Sequence, residues 1–379
     1  MSAYGIAVIP VVIWLYLVVG RGGFWRVPAQ RAAVLPAPVP RRIVVVIPAR
    51  NEAPLIGAAV ASLLRQEFNG TVHLIAIDDG SSDGTAEAAL AAAGSAGALS
   101  RFTLLRGTDV PPGWTGKLWA LSQGVSAAAE LGADYLLFTD ADIQHAPGSL
   151  CALTAHAEAH DCDLVSHMVR LSTATLAERL LIPAFVFFFF KIYPPAWISS
   201  PRHKLAAAAG GCILIRPAAL ARIGGLQAIR SRIIDDCALA RAVKDSGGRI
   251  SLQLARDTRS LRGYGSSAEI GAMISRTAFA QLGHSYLALV ATLLGMFVTY
   301  GLPVLLLFSG DPLLTCLGLA ALLLMSLCYL PMVRFYDLSA AWCVCLPPVA
   351  IFYFGAVVRS ALQYARGTGG RWKGRAQDA

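Results

Sequence analysis

Ile43-Val44-Val45-Val46-Ile47-Pro48-Ala49-Arg50-Asn51-Glu52 is the stretch whose reading decides the fold. Five β-branched residues in succession leave no polar face, so the run reads as a strand buried on both sides, the habit of a parallel sheet covered by helices. Polar residues follow at once, and a helix is expected from about Pro54. Strand, loop and helix in that order begin a doubly wound α/β sheet, in which ligands gather at the strand C-termini. The pattern recurs. Residues 72–77 form a second apolar run that ends in Asp78-Asp79-Gly80-Ser81-Ser82-Asp83-Gly84-Thr85, and Tyr135-Leu136-Leu137-Phe138-Thr139 leads into Asp140-Ala141-Asp142. An α/β domain is therefore expected over residues 42–284.

The rest of the 379 residues is of a different kind. Hydrophobic residues make up 56% of the chain and the mean hydropathy is +0.57, too apolar for an ordinary soluble enzyme, so an integral membrane protein is expected. The formal charge of +9 suits nucleic acid, anionic lipid or an anionic substrate. No basic run interleaved with aromatics spans the polar part, so a nucleic-acid partner is not expected. The eight cysteines show neither a disulfide framework nor a CxxC zinc pattern.

Residues 1–21 read as a transmembrane anchor. Its uncharged stretch is followed, not preceded, by arginines at 21, 26, 31, 41 and 42, which argues for a retained segment with its C-terminal flank in the cytoplasm. Residues 22–41, proline-rich at 35–40, read as a linker. Residues 285–358 contain three apolar stretches, 286–308, 313–333 and 338–358, each near the ~20 residues that span a bilayer. Pro347-Pro348 favours breaking the last into a re-entrant or interfacial hairpin, which returns the basic tail 359–379 to the cytoplasm. A further apolar segment, 180–198, carries Lys191 and three prolines. It is expected to lie at the interface, since a full span would split the site across the membrane. The expected location is the inner (cytoplasmic) membrane, multi-pass, with the α/β domain facing the cytoplasm.

The chemistry sits at the strand ends. Asp140 and Asp142, two apart, can aim at one hard cation, and a cation there can hold a diphosphate. Asp78 and Asp79 can accept hydrogen bonds from a nucleobase N–H or ribose hydroxyls. Ser82 and Asp83 read instead as caps of the helix expected near Thr85. Gly116-Lys117, a close-approach glycine before a lysine that opens a helix, suits a nucleotide or its phosphates. His145 lies where it could complete a metal shell, and His203 could reach a phosphate. Arg262 and Arg276 are candidates for neutralising a diphosphate.

The ordered set Pro48-Ala49-Arg50-Asn51-Glu52, Asp78-Asp79-Gly80-Ser81, Gly116-Lys117, Asp140-Ala141-Asp142, Gly210-Gly211-Cys212 and Asp235-Asp236 resembles the family 2 glycosyltransferases over about residues 42–276. The resemblance implies a GT-A fold, Rossmann-like with a mixed sheet, and inverting transfer from a nucleoside diphosphate sugar with Mg²⁺ or Mn²⁺. It implies donor-nucleotide contacts from Pro48, Asn51, Glu52, Asp78, Asp79, Lys117 and Asp140, a metal on Asp140 and Asp142, and Gly210-Gly211 near the acceptor and diphosphate. Asp236 falls at the general base, with Asp235 in place of the family's glutamate. Inversion at the anomeric carbon needs one base for the acceptor hydroxyl, and a carboxylate at a helix N-terminus stays ionised, which fits that role.

Membrane-bound relatives usually carry Gln-x-x-Arg-Trp after the base. Here Met273-Ile274-Ser275-Arg276-Thr277 keeps only the arginine, which weighs against a processive polysaccharide synthase. Residues 112–117 and 276–282 resemble the bacterial hopanoid-biosynthesis-associated glycosyltransferases, which implies a polycyclic isoprenoid or related lipid acceptor. Transfer to a lipid is the leading expectation. A processive polysaccharide synthase and a non-catalytic scaffold binding nucleotide sugar or lipid are the alternatives.

Overall fold

The β-branched run becomes the centre of a sheet. In the computed structural model, which describes residues 3–27, 29–30, 39–372 and 375–376, the chain divides into two units. One comprises Pro28–Ser172, Ile198–Arg262 and Arg371–Ala379 and holds the sheet; the other comprises Met1–Val27, Thr173–Trp197 and Gly263–Gly370 and is helical.

The strands are β1 (Ala29–Gln30), β2 (Arg41–Ala49), β3 (Gly70–Asp78), β4 (Phe102–Arg106), β5 (Tyr135–Thr139), β6 (Ile143–Gln144), β7 (Leu164–Arg170), β8 (Cys212–Ile215) and β9 (Ile250–Ser260). Their order is β1-β9-β7-β8-β5-β2-β3-β4, with β6 paired to β9. Strand β2 runs parallel to β3 and β5, placing Val45 between Leu74 and Leu137. Because β8 is antiparallel to both β5 and β7, the sheet is mixed. Residues 43–47 are wholly buried, and each such side chain stabilises the fold by roughly 1.5–3 kcal/mol. The doubly wound α/β reading holds.

Helices follow the strands where the turn chemistry predicts. The first, Ala53–Leu64, has proline in its opening turn, where no N–H is lost from the helix ladder. The helix Gly116–Ala128 lies so close to the sheet that a Cβ on Gly124 would stand 2.3 Å from Val46 Cγ1. Asp83 differs from the expected cap. Gly84 occupies the N-cap of the helix Thr85–Ser95, while Asp83 accepts from Thr85 N at 3.2 Å and Ala53 N at 3.1 Å, tying two loops together.

In the helical unit, Leu176–Ile198, Tyr286–Leu306, Pro312–Phe335 and Ala340–Ala365 are long and apolar enough to cross a membrane, and Ala3–Val19 is a shorter apolar helix. The segment expected at the interface forms two helices, Leu176–Ile192, which opens on a capping box of Thr175 and Glu178, and Pro195–Ile198, and residues 176–198 together have the length and composition of a span. One expectation changes here. Pro347-Pro348 fall in the first turn of Leu346–Ala365, a position that tolerates proline, so the chain does not reverse there. The helix Ser267–Gln281, within the expected 42–284 domain, groups with this unit, where Phe279 N donates to Ser360 Oγ at 3.0 Å. The expected linker 22–41 and basic tail 359–379 lie partly outside the described residues.

Candidate active site

Parallel pairing brings the C-termini of β2, β3 and β5 to one edge of the sheet. Strand β8, running the other way, presents its N-terminal Gly210-Gly211 at the same edge, with Cys212 opposite Thr139. Strand β9 is parallel to β7 and therefore also ends there, so Ser260 and Arg262 join the loops that carry the carboxylates.

An opening of about 340 Å³ at this edge is lined by Pro48, Lys117, Asp140, Gly210, Asp235 and Asp236 with apolar neighbours. Lys117 stands in the first turn of its helix, and its Nζ lies 2.9 Å from Asp140 Oδ1 and 3.5 Å from Asp235 Oδ2. Burial alone would lower the Lys117 pKa, but the Asp140 and Asp235 carboxylates outweigh it and hold the ammonium above its ordinary value. Asp236, in the first turn of Asp235–Asp245, accepts from Gly210 N at 2.8 Å and Cys237 N at 2.7 Å. Burial, then the charge of Asp235, push its carboxyl up to about 6. The absence of a side chain at Gly210 keeps this corner open. A Cβ there would meet Asp236 Oδ2 and Lys117 Nζ, each at 3.3 Å.

A second cluster adjoins it through Asp140. Arg262 Nε donates to Asp142 Oδ2 at 2.9 Å, and its NH2 donates to both Glu52 oxygens at 2.5 and 2.6 Å. Ser260 Oγ reaches Asp142 at 3.3 Å. Burial raises the Asp142 carboxyl, Asp140 raises it further, and Arg262 opposes them.

The donor set fits a divalent cation. Asp140 and Asp142 are hard oxygen ligands, and the carboxylates of Glu52, Asp140, Asp142, Asp235 and Asp236 outnumber the Lys117 ammonium and the Arg262 guanidinium beside them, so added positive charge is electrostatically favoured. Among the described residues, no group of three or more His, Cys, Asp or Glu is arranged as a metal shell. His145 corrects an expectation. It is buried, with Nε2 3.0 Å from Thr139 Oγ1 and Nδ1 3.4 Å from Ser149 Oγ. Burial drives its pKa down to about 3, so it is a neutral structural histidine that does not join the two aspartates.

The strand-end residues for the nucleoside divide. Asp78 Oδ1 accepts from Ser81 N at 3.1 Å and lines a separate opening of about 610 Å³ with Glu87 and Arg106. Asp79 is buried and ion-paired to Arg50 at 3.6 Å, so it faces the fold rather than the opening. Asn51 adopts φ +51°, a left-handed conformation that asparagine tolerates. It joins two loops, accepting from Ser82 N at 2.9 Å and donating its own N–H to Ser81 Oγ at 3.0 Å. Gly211 contributes its carbonyl, which accepts from Thr139 Oγ1 at 2.8 Å. Arg276 is exposed on the helix Ser267–Gln281 of the helical unit, and His203 is exposed in the sheet unit.

Arg50 and Ser260 are contributors that motif reading passed over. Arg50 lies inside a quoted motif and was open to detection. Nothing local to Ser260 marks it, because its role comes from the end of β9 pairing with β6, the short strand that follows Asp142.

Residues 44–224 match the model described as Glycosyl transferase family 2, a likeness consistent with transferase activity. The match includes the acidic loops after β2, β3 and β5 and ends before Asp235. A search among curated proteins gives no match. Among solved structures, the mannosyltransferase PcManGT from Pyrobaculum calidifontis, in complex with GDP-Man and Mn²⁺, is similar in fold. Its TM-score is 0.57 at 15% identity, covering 93% of this chain and 98% of that one. Glucosyl-3-phosphoglycerate synthase from Mycobacterium tuberculosis, in complex with Mn²⁺, UDP-Glc and phosphoglyceric acid, aligns with a TM-score of 0.42 at 20% identity, covering 68% and 87%.

Proposed function

We propose that the chain is a membrane-bound inverting glycosyltransferase, with residues 42–284 as its catalytic domain, that moves one sugar from a nucleoside diphosphate sugar to a lipid acceptor. The observation that carries this reading is the shared opening. It holds Asp236, whose carboxyl is raised to about 6, and Lys117, whose ammonium contacts the Asp140 carboxylate. A group suited to taking a proton and groups suited to a diphosphate thus face one space.

The chain's residues divide the work. Asp236 accepts the acceptor hydroxyl's proton as that oxygen bonds to the anomeric carbon. The bond from the anomeric carbon to the β-phosphate oxygen breaks on the opposite face, and its electron pair leaves with the nucleoside diphosphate. Asp140 and Asp142 would hold Mg²⁺ or Mn²⁺, which when bound supplies positive charge to the leaving diphosphate. Lys117 and Arg262 add fixed cations at that end. Asp78 offers an acceptor to the nucleoside, in a loop tied by Asn51 to the loop after β2. Burial, helped by the charge of Asp235, keeps the Asp236 carboxyl high enough to gain and release a proton near neutral pH.

The four helices long and apolar enough to cross a membrane support a lipid acceptor at the bilayer surface. Arg21 and Arg26, after the first apolar helix, support a cytoplasmic site in the inner membrane. The resemblance of residues 112–117 and 276–282 to the hopanoid-associated enzymes supports a polycyclic isoprenoid or related acceptor.

The test compares lipids extracted from cells with and without the chain, alongside purified protein given nucleoside diphosphate sugars with Mg²⁺ or Mn²⁺. One new lipid carrying a single sugar is expected. A polymeric product would overturn single transfer, and absence of both transfer and donor hydrolysis across the sugar panel would overturn the enzyme reading.

A further inference from the structure

The helix Leu346–Ala365 has two unlike faces. Val349, Tyr353, Ala356 and Ser360 are buried within the helical unit, and Tyr353 OH donates to Leu181 O at 2.9 Å. On the opposite side Ile351 is 72% exposed and Leu362 50%. Toward the C-terminal end this outer face borders an open groove of about 930 Å³, a volume that includes adjoining solvent, whose described lining of Phe354, Val358, Arg359, Leu362, Gln363 and Arg366, with Thr368 beyond, comes from this one helix and the turn that ends it. Phe354, Val358 and Leu362 follow the i, i+4 spacing that makes one continuous apolar stripe. Arg359 and Arg366 are seven residues apart, roughly 10 Å along the axis, and side chains of that length can converge on one group.

The polar lining is one-sided. Arg359, Gln363, Arg366 and Thr368 can all donate hydrogen bonds, and among the described residues no carboxylate lines the groove. Neither guanidinium has an ion-pair partner among the described residues. In sequence, Arg371, Lys373 and Arg375 extend the positive charge, with no acidic residue from 359 until Asp378. An apolar stripe that runs into paired guanidiniums at the end of a membrane-length helix matches an acyl chain continuous with a phosphate.

We infer that this groove binds an anionic phospholipid, its phosphate between Arg359 and Arg366 and its first methylenes along Phe354, Val358 and Leu362. The site is independent of the transfer reaction and is formed within the helical unit.

The test uses full-length protein in detergent, titrated with phosphatidylglycerol or phosphatidylcholine and read by native mass spectrometry. Phosphatidylglycerol is expected to be retained at least about tenfold more tightly, a difference of ~1.4 kcal/mol. The variant R359Q/R366Q is expected to lose about one tightly held copy per chain, while R65Q/R101Q, of equal charge change in the sheet unit, keeps it. L362W, which fills the groove without altering charge, is expected to weaken retention too, and it keeps the test open if the double variant does not fold. Equal retention of the two lipids, unchanged retention in both R359Q/R366Q and L362W, or the same loss in R65Q/R101Q would overturn the site.

Discussion

Asp142 and Asp236 lie at two ends of the same acidic edge and are held in different ways. Both are raised first by burial and then by a neighbouring carboxylate, Asp140 for one and Asp235 for the other. The counter-charge separates them. Asp142 is in direct contact with Arg262, a cation that does not titrate, so its negative charge always has an opposite charge beside it. Asp236 is held by two backbone N–H groups, while Lys117 directs its ammonium to Asp140 and Asp235. A carboxylate kept by a fixed cation suits the holding of charge. One kept by neutral donors, with a pKa of about 6, suits the movement of a proton.

The largest effect that would break this contrast is expected at Asp236. Asp236→Asn removes the proposed base while leaving an oxygen for the N–H groups of Gly210 and Cys237, and kcat should fall about 10²–10⁴-fold with the fold intact. Near-normal turnover in a single-turnover assay would remove Asp236 from the reaction. Next comes Asp142→Asn, expected to raise the Mg²⁺ or Mn²⁺ concentration for half-maximal activity by about 10–100-fold. An unchanged metal titration would erase the distinction between the two ends.

A subtler measurement is the acid limb of kcat/KM against pH. Activity should rise with pH through about 6, as Asp236 loses its proton. Asp235→Asn removes a charge that raises Asp236 and should move the limb to lower pH, whereas Lys117→Met removes one that lowers it and should move the limb higher. Limbs that coincide in all three proteins would dissociate the profile from Asp236. The smallest effect is on stability. Between the ordinary carboxylate range and about 6, the folded protein binds more protons at Asp236 than the unfolded chain, so its contribution declines as pH rises through that window. Denaturation midpoints at several pH values should show a flatter dependence in Asp236→Asn, and an unaltered slope would place the raised pKa elsewhere.

How much of this was legible beforehand depends on the range of the interaction. The strand 43–47 announced itself, because burial on both faces demands apolar residues at every position. Asp140-Ala141-Asp142 was legible as a pair of carboxylates at a strand end for the same local reason, following a strand buried along its whole length. The contrast between Glu52 and Asp79 was not. Both follow strands as acidic residues, yet Glu52 meets Arg262 while Asp79 is buried against Arg50. His145 misled because proximity in sequence to Asp142 suggested a shared ligand, while the short strand β6 between them carries its ring into the packing around Thr139 and Ser149. The start of the helix at Leu176 was hidden, since the capping box that opens it lies outside the apolar run, whereas Pro194-Pro195 do mark the break after Ile192.

By itself, then, the sequence determined the α/β character, the acidic strand ends and the apolar helices, because each follows from side chains within a few positions of one another along a strand or turn. Only the tertiary structure decided which charges meet. Arg262 reaches Glu52 across 210 positions and Asp142 across 120, and Gly210 donates to Asp236 across 26. Those partners come from strand order and register, set by the packing of the whole sheet, and no local pattern records them.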